Sequence, residues 1–253
     1  MKKVQSFRGA AGVAYKWRVK SFGKRPWNLR WKPVCASTER DLSEWLKEKP
    51  LKSHFPRAVI AARQTAGVGQ RGRIWQAPIG GVWISAAFPF DNDQESAGIL
   101  GLAVAVALAE RLESCFVPVQ IKWPNDLMVG GRKLAGFLPR LIHRGETLVM
   151  GRIGLGLNIC NHVPIEGISL LEILKPKSCD VEYWTAEALL ALDHAFELVK
   201  EAERVCIEAE RLLWAKEVKN YQTGEIFQIE GIDINGALKL RNGSLKTVWN
   251  RWG

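Results

Sequence analysis

The segment 122–136, KWPNDLMVGGRKLAG, constrains the fold more than any other part of this chain. Its first apolar stretch ends at Gly130-Gly131, and a second apolar stretch follows directly after Lys133. Two such stretches joined by a Gly-Gly connection predict an antiparallel β-hairpin. That hairpin would bring Asn125 and Asp126 close to Lys133, so the segment predicts a polar cluster on two neighbouring strands.

The rest of the chain predicts an α+β fold. Strands are expected at 29–36, 58–62, 82–88, 120–123, 126–129, 133–138 and 148–159, and helices at 37–47, 96–112 and within the amphipathic segment 185–218. Residues 224–249 alternate apolar and polar side chains around two Asn-Gly pairs, which predicts a small antiparallel barrel. We therefore expect a basic extension over 1–30, a main domain over 31–218 and a small barrel domain over 219–253.

The charge of this chain is concentrated at its N-terminus. The formal net charge is +10, but residues 1–32 contain ten Lys or Arg and no acidic residue, so the rest is balanced at 26 basic and 26 acidic residues. This distribution argues against a nucleic-acid-binding body. The basic segment is interpreted as a solvated tail, a transit-like segment or residues upstream of the true start.

The hydropathy and the cysteines favour a protein of the reducing cytoplasm. The longest apolar run, 97–109, is too short to cross a bilayer and predicts a buried helix. There are five cysteines, an odd number without CxxC spacing, and no signal-peptide core begins the chain. We expect no membrane association, and we expect the cysteines to be small core residues.

The segment 66–73, AGVGQRGR, is too rich in glycine for a regular element and predicts a loop. Its amides could bind an anion with help from Arg71 and Arg73, although solvated arginines in a plain turn fit equally well. A Walker ending is absent, and residues 74–78 do not resemble the helix of a dinucleotide-binding fold. Trp75 could stack on a flat base or fill the core.

Other candidate residues have ordinary structural explanations as well. Lys133 could bind an anion or point to water from a strand end. Asp126 could cap a turn after Pro124, and Ser37-Thr38 could cap a helix. The four histidines lack ligand spacing, so no protein-only metal site is expected.

Taken in order, these segments resemble the biotin protein ligases. The matching motifs are Ser37-Thr38, QTAGVGQRGRIW at 64–75, KWPNDL at 122–127, RKLAG at 132–136 and GLGLNI at 154–159. The resemblance covers roughly residues 31–250. It implies a class II synthetase-like mixed sheet with helices, followed by a small SH3-like β-barrel.

The resemblance also implies a chemistry. Such ligases condense biotin with ATP, in the presence of Mg²⁺, to biotinyl-5′-AMP and then acylate a lysine of a biotin carboxyl carrier protein domain of acetyl-CoA carboxylase. Lys133 would neutralise charge in the first step, and Asp126 would orient or deprotonate the incoming amine in the second.

The binding residues follow by position. The resemblance implies biotin contacts at Ser37, Thr38, Gln64, Gly67, Val68, Gly69, Gln70, Lys133 and Gly136, with Gly67, Val68 and Gly69 acting through their backbone N–H groups. It implies ATP or adenylate contacts at Arg71, Arg73, Trp75, Asn125 and Asn158. Val68 and Gln70 stand where the family usually has basic side chains, which predicts a weaker hold on the adenylate.

Three alternatives stay open. A lipoate or octanoate ligase shares the fold and the lysine, and a non-catalytic biotin-binding module would share the pocket. A bifunctional ligase-repressor would need a DNA-binding domain, and the residues before the first core strand show no helical periodicity, so no specific DNA binding is expected. The oligomeric state is left as monomer or homodimer.

Overall fold

A computed structural model of the protein describes residues 9–21, 26–51, 55–89, 99–220 and 222–250. Its centre is a seven-stranded mixed sheet. In spatial order the strands are β1 (Asn28–Lys32), β2 (Arg57–Ala61), β5 (Gly81–Pro89), β9 (Thr147–Asn158), β8 (Arg132–Arg144), β7 (Asp126–Val129) and β6 (Gln120–Lys122). Only β1 and β2 run parallel, and the other neighbours are antiparallel. The predicted α+β class is confirmed.

The two faces of the sheet are covered differently. On β5, Val82, Ile84, Ala86 and Phe88 belong to the main core, together with α3 (Leu100–Glu113) and α4 (Val181–Leu198). On the opposite face, α2 (Thr38–Glu48) packs Leu42 and Trp45 against Val59 and Ala87. Because α2 covers the β2 and β5 side of this face, the neighbouring part over β9 and β8 is left for a cavity.

The central hairpin forms as predicted. β7 and β8 are joined by Gly130 and Gly131, whose φ angles of 56° and 77° are in the left-handed region that favours glycine. β8 then continues to Arg144, beyond the predicted end at 138, because it pairs along its length with β9. The β7–β8 hairpin therefore lies inside the sheet, between β6 and β9, which hold the strands that carry Asp126 and Lys133.

The predicted glycine loop is in part regular structure. Two strands, β3 (Gln64–Val68) and β4 (Ile74–Ala77), form a separate hairpin with a tight turn between them. The prediction of a loop over 66–73 was therefore wrong for residues 66–68, which belong to β3, whereas residues 69–73 lie between the strands as expected. Glycine is required in this hairpin by a close approach, since a Cβ on Gly67 would lie 2.5 Å from the Trp75 carbonyl oxygen.

The N-terminal segment contains a helix that the sequence analysis did not predict. α1 (Gly9–Lys20) buries Val13 and Trp17 against the main core. Its lysines form ion pairs with the N-cap residue of α4 and with α4 itself, from Lys16 to Asp180 at 2.5 Å and from Lys20 to Glu187. The described part of the basic extension is thus docked, and the prediction of a segment without helices was wrong. Residues 1–8 lie outside the described ranges.

Glu187 shows how this docking is balanced electrostatically. Burial alone would raise the pKa of this carboxyl, but Lys20 and Arg111 both pair with it and hold its pKa below the usual range. A buried carboxylate with two cationic partners stays ionised, so it can anchor α1 to the core.

The amphipathic segment 185–218 divides into three elements. They are the rest of α4, α5 (Ala202–Arg211) and the start of β10 (Glu217–Lys219). Both helices keep the same periodicity, so the pattern alone does not reveal the change of direction between them. The predicted start of α3 at Ser96 lies outside the described residues, which begin again at Ile99.

A four-stranded antiparallel sheet occupies the position predicted for the barrel. Its strands pair in chain order, β10, β11 (Ile226–Ile232), β12 (Leu238–Asn242) and β13 (Leu245–Trp249). Phe227 and Leu238 join the main core, and the Trp123 indole N–H donates to the Gly236 carbonyl at 2.7 Å. The boundary at 218 and 219 stays a prediction.

The cysteines are only partly core residues. All five are free thiols; Cys35, Cys179 and Cys206 are buried, whereas Cys115 is half-buried and Cys160 is exposed. Burial raises the pKa of Cys35 to about 11. Within the described part of the chain, no helix has both the length and the apolar character to span a membrane.

Candidate active site

The floor of the candidate site is a strip of glycines on the central strands. Gly156 of β9 pairs with Trp83 of β5 and with Gly136 of β8. Two residues earlier on β9, Gly154 pairs with Ser85 and with Leu138. Because side chains two apart share one face of a sheet, Gly136, Gly154 and Gly156 lie on the same face. The space that their missing side chains leave above the sheet is partly filled by Trp75 and Lys133, and a cavity of about 50 Å³ remains beside them.

Many of the predicted site residues line this cavity. They are Ser37, Thr38, Gln64, Val68, Gly69, Trp75, Lys133 and Gly136. Residues from α2, β3, β4, β5 and β8 therefore meet over the glycine floor, although they are spread over a hundred positions of the sequence. The cavity has a charged end near Lys133 and an end near Thr38 that is lined mainly by hydroxyl and amide groups, which we call the neutral end; the ion pair of Glu39 and Arg152 lies beside it.

At the charged end, the Lys133 ammonium lies 2.7 Å from Asp126 Oδ1, as the hairpin predicted. It also lies 4.9 Å from the centre of the Trp75 ring, a cation–π distance. The backbone of Lys133 is held from its other side, since its N–H donates to Glu166 and its carbonyl accepts from Ile168. Both partners leave the ammonium partly exposed, with 31% of the side chain accessible.

The Trp75 indole lies directly on the glycine floor. A Cβ on Gly156 would lie 2.7 Å from the indole, and one on Gly136 would lie 3.1 Å from it. The indole Nε1 is buried and has no hydrogen-bond partner among the described residues. A buried donor without a partner is costly, so this N–H is a candidate for contact with a bound molecule.

The two predicted asparagines, Asn125 and Asn158, lie next to the strand that carries Lys133 but do not line the cavity. Asn125 Nδ2 donates to the Phe137 carbonyl at 2.7 Å, and Asn158 Nδ2 donates to the Lys133 carbonyl at 3.3 Å. Asn161 in turn donates to Asn158 Oδ1 at 3.0 Å. Neither Asn125 nor Asn158 lines the cavity. In this structure both hold the strand that carries Lys133.

At the neutral end, Gln64 and Thr38 are joined by two hydrogen bonds. Gln64 Oε1 accepts from the Thr38 backbone N–H at 2.7 Å and from the Thr38 hydroxyl at 3.0 Å. The Gln64 side chain thus binds the first N–H of α2, while Ser37 at the cap position makes no side-chain cap hydrogen bond. The predicted cap by Ser37 or Thr38 was wrong, because Gln64 takes that role.

Sequence analysis missed Ser85, a third member of this neutral group. Its Oγ lies 2.8 Å from Thr38 Oγ1, and the residue is 1% exposed. The available signal was a single hydroxyl within the otherwise apolar strand segment VWISAAF at 82–88. A polar side chain in a buried strand needs a partner, so that pattern could have indicated it.

Sequence analysis also missed a charged pair beside the neutral end. Arg152 lies 2.7 Å from Glu39 Oε1 and donates to Ser43 Oγ at 2.8 Å. Burial lowers the pKa of Arg152, with Arg140 adding to the effect and Glu39 opposing it. Glu39 lines the cavity. The signal was an arginine inside the apolar strand that ends in GLGLNI.

The predicted anion-binding segment reaches the cavity only through two residues. Val68 and Gly69 line it, but Gly67, Gln70, Arg71 and Arg73 do not. The Gly69 N–H donates to the Arg73 carbonyl at 2.8 Å, which corrects the prediction that this amide is available to a ligand. The alternation of an antiparallel ladder then directs the Val68 N–H away from β4.

Comparison with solved structures shows what fold carries this site. The protein is similar to the biotin protein ligase of Aquifex aeolicus in complex with biotin and ATP, with a TM-score of 0.66 and 26% sequence identity. That match covers 89% of this chain and 96% of the other. The fold is therefore that of the solved biotin protein ligases.

The family follows from the sequence. Residues 31–158 match the profile of the Biotin/lipoate A/B protein ligase family, and this chain belongs to that family. It is 36% identical over 129 residues to the bifunctional ligase/repressor BirA of Escherichia coli K12, covering 50% of this chain and 39% of that protein.

It is also 33% identical over 129 residues to the biotin–[acetyl-CoA-carboxylase] ligase of Paracoccus denitrificans, covering 50% of this chain and 53% of that protein. The match to the first curated relatives spans about 40% of their length.

Proposed function

We propose that this protein is an ATP-dependent biotin–protein ligase. It would condense biotin with ATP to biotinyl-5′-AMP and then transfer the biotinyl group to a lysine of a biotin carboxyl carrier protein domain. The observation that supports this most strongly is the polarity of the cavity. One end offers uncharged hydroxyl and amide groups, and the other offers the Lys133 ammonium.

That polarity matches the two ends of biotin. Its ureido ring is neutral and needs paired donors and acceptors, which the hydroxyl and amide groups that line the neutral end could supply. Its carboxylate would reach toward Lys133, where the ammonium offsets the repulsion between a carboxylate and the α-phosphate of ATP. The similar protein from Aquifex aeolicus was solved with biotin and ATP bound.

The residues at the charged end fit a nucleotide. Trp75 has a flat ring and an unpartnered buried N–H beside Lys133. The described residues contain no group of three His, Cys, Asp or Glu side chains that could hold a metal ion. Mg²⁺ would be bound through the phosphates of ATP, where it would offset further negative charge.

For the second step, we propose that Asp126 acts on the incoming lysine. An amine must be neutral to attack, and Asp126 Oδ1 lies 2.7 Å from the ammonium of Lys133, which lines the cavity. Its carboxylate could orient the amine or accept its proton. The mixed anhydride is already activated, so positioning is the main requirement of this step.

A lipoate or octanoate ligase is the second candidate, since the family includes both types. A dithiolane ring or a simple acyl chain offers no acceptor to the Gln64 Nε2 amide group, which would lose its contact with water without gaining a partner. The third candidate, a binding module without catalysis, does not require the ion pair of Lys133 and Asp126.

The test is a two-step assay with the full chain. Labelled biotin, ATP and Mg²⁺ should yield labelled biotinyl-5′-AMP, and a carrier domain added afterwards should become labelled. A carrier domain whose acceptor lysine is replaced by arginine is the control and should stay unlabelled. Adenylate without transfer would reject the second step, and activation of lipoate or octanoate in preference to biotin would reject the proposal.

A further inference from the structure

The hydrogen-bond directions at the neutral end can be assigned without ambiguity. The Thr38 backbone N–H can only donate, so the Gln64 atom that it meets at 2.7 Å must be the amide oxygen. The Thr38 hydroxyl lies 3.0 Å from that same oxygen, which carries no proton, so the hydroxyl must donate to it. The single proton of Thr38 is therefore committed to Gln64.

This assignment fixes the proton of Ser85. Ser85 Oγ lies 2.8 Å from Thr38 Oγ1, and only one of the two can donate in that contact. Since Thr38 has no proton left, Ser85 must donate to it. The chain of donation thus runs from Ser85 to Thr38 to Gln64.

The direction of this chain decides what the cavity offers to a ligand. Ser85 has used its proton and keeps only acceptor lone pairs. Gln64 has used its oxygen, so its other end, the Nε2 amide group, is a donor. Both residues line the cavity. The neutral end therefore pairs one acceptor with one donor, which is complementary to a ring that carries N–H next to C=O.

The position of Ser85 in the sheet supports a role beyond packing. Its register neighbours are Val59, which packs in the apolar cluster under α2, and Gly154 of the cavity floor. An alanine would suit the first neighbour equally well, since Ala87 of the same strand packs in the cluster that contains Val59. A hydroxyl is useful here only toward Thr38 and the cavity.

We propose that Ser85 is a specificity-determining residue of this site, which accepts a hydrogen bond from a ring N–H of the bound ligand while its own proton orients Thr38 and Gln64. This inference rests on the proposed function for the identity of the ligand, biotin, whose ureido ring has two N–H groups beside one carbonyl. A dithiolane ring has no N–H and would leave the acceptor unused.

The test couples a change in the protein to a change in the ligand. Equilibrium binding without ATP is measured for the wild-type protein and for Ser85→Ala, each with biotin and with its two mono-N-methyl ureido isomers. We expect Ser85→Ala to weaken biotin binding about 5- to 150-fold. For one of the two isomers, whose N–H toward Ser85 is already lost, the same substitution should change binding far less.

The matched control is Thr185→Val, which removes another buried hydroxyl, one that donates within α4 to the Val181 carbonyl at 2.7 Å. It should leave all three affinities unchanged. Thermal unfolding of each variant shows whether it is folded. If Ser85→Ala does not fold, the wild-type comparison decides, because a protein that binds biotin and both N-methyl isomers equally well uses no N–H acceptor.

The outcomes separate this inference from the proposed function. Wild-type binding of biotin with no loss in Ser85→Ala, or with an equal loss for all three ligands, overturns the role of Ser85 and leaves the ligase proposal intact. A wild-type protein that binds no biotin overturns the proposed function and this inference with it. If Ser85→Ala weakens the binding of biotin but changes the binding of one N-methyl isomer far less, the result supports both the role of Ser85 and the proposed function.

Discussion

The two ends of the cavity differ in charge and in exposure. At the Lys133 end, the ion-paired side chains of Lys133 and Asp126 are 31% and 19% exposed. At the other end, Thr38 and Ser85 are 3% and 1% exposed and carry no charge. With the function proposed above, the Lys133 end would be the reacting end and the Thr38 end the recognition end.

Each end has the environment that its task requires. A reacting end must admit a second substrate and then a protein lysine, so its charged groups have to be reachable. A recognition end gains selectivity only if a wrong ligand leaves buried polar groups unpaired, so it has to be closed to water. The glycine strip lies between the two ends, and Trp75 packs on Gly136 and Gly156 there.

The substitution expected to separate the two ends most clearly is Lys133→Ala. We expect adenylate formation to slow about 10²- to 10³-fold, because the charge that offsets the phosphate is lost. Biotin affinity without ATP should change much less. Arg132→Ala is the control, since its side chain pairs with Glu172 at 2.8 Å outside the cavity. Equal losses in rate and affinity would contradict this division into two ends.

Asp126→Ala tests the same end in the second step. Transfer from preformed biotinyl-5′-AMP to the carrier domain should slow about 10²-fold if the carboxylate handles the amine. Because Asp126 also pairs with Lys133, adenylate formation is measured in parallel. Glu172→Ala is the control, since it removes a carboxylate that pairs with Arg132 outside the cavity, and it should leave transfer unchanged. Normal transfer by Asp126→Ala would refute the proposed role.

Thr38→Val tests the recognition end. It removes the hydroxyl that links Ser85 to Gln64 and keeps the shape, so the dissociation constant of biotin should rise about 5- to 150-fold. Turnover at saturating biotin should change much less. Thr65→Val, at an exposed neighbour of Gln64, should have no effect. If Thr38→Val lowered turnover without changing the affinity for biotin, Thr38 would not belong to a recognition end.

The smallest effect is expected at Gln70, which does not line the cavity. Gln70→Arg restores a basic side chain that the family usually has here, and it should slow dissociation of biotinyl-5′-AMP about threefold to fivefold. The gain is modest because the residue is exposed. Gln76→Arg, also exposed and on β4, is the control. An unchanged dissociation rate would reject the predicted weak hold on the adenylate.

The reacting end was predictable because it is local in sequence. Asp126 and Lys133 are joined by a hairpin whose Gly130-Gly131 turn has a specific backbone requirement, so their contact follows from residues within one segment. The C-terminal antiparallel strands were also predictable, since alternation and Asn-Gly turns indicate them directly, whereas the mixed sheet was expected from the resemblance to biotin protein ligases.

The recognition end was only half predictable. Ser37, Thr38 and Gln64 were named from resemblance, but Ser85 and the pair of Glu39 and Arg152 were not. These residues come together through the register of β5, β9 and β8 and through the docking of α2. No pattern within a single segment specifies which residues of distant strands will pair.

The N-terminal segment shows the same limit. Residues 9–20 have weak helical periodicity, and their basic composition suggested a solvated tail. The helix forms because Val13 and Trp17 reach the core and because Lys16 and Lys20 find carboxylates on α4. Tertiary packing supplies most helical stability in proteins, so a short helix of this kind is decided by its neighbours.

The sequence by itself determined the class of fold, the central hairpin and the identity of the lysine and aspartate at its polar end, because these depend on short-range turn chemistry and periodicity. Only the tertiary structure decided the direction of the hydrogen bonds from Ser85 to Gln64, the docking of α1 and the cavity over the glycine strip. Those features depend on strand register and on buried partners far apart in the chain, and elementary sequence patterns carry neither.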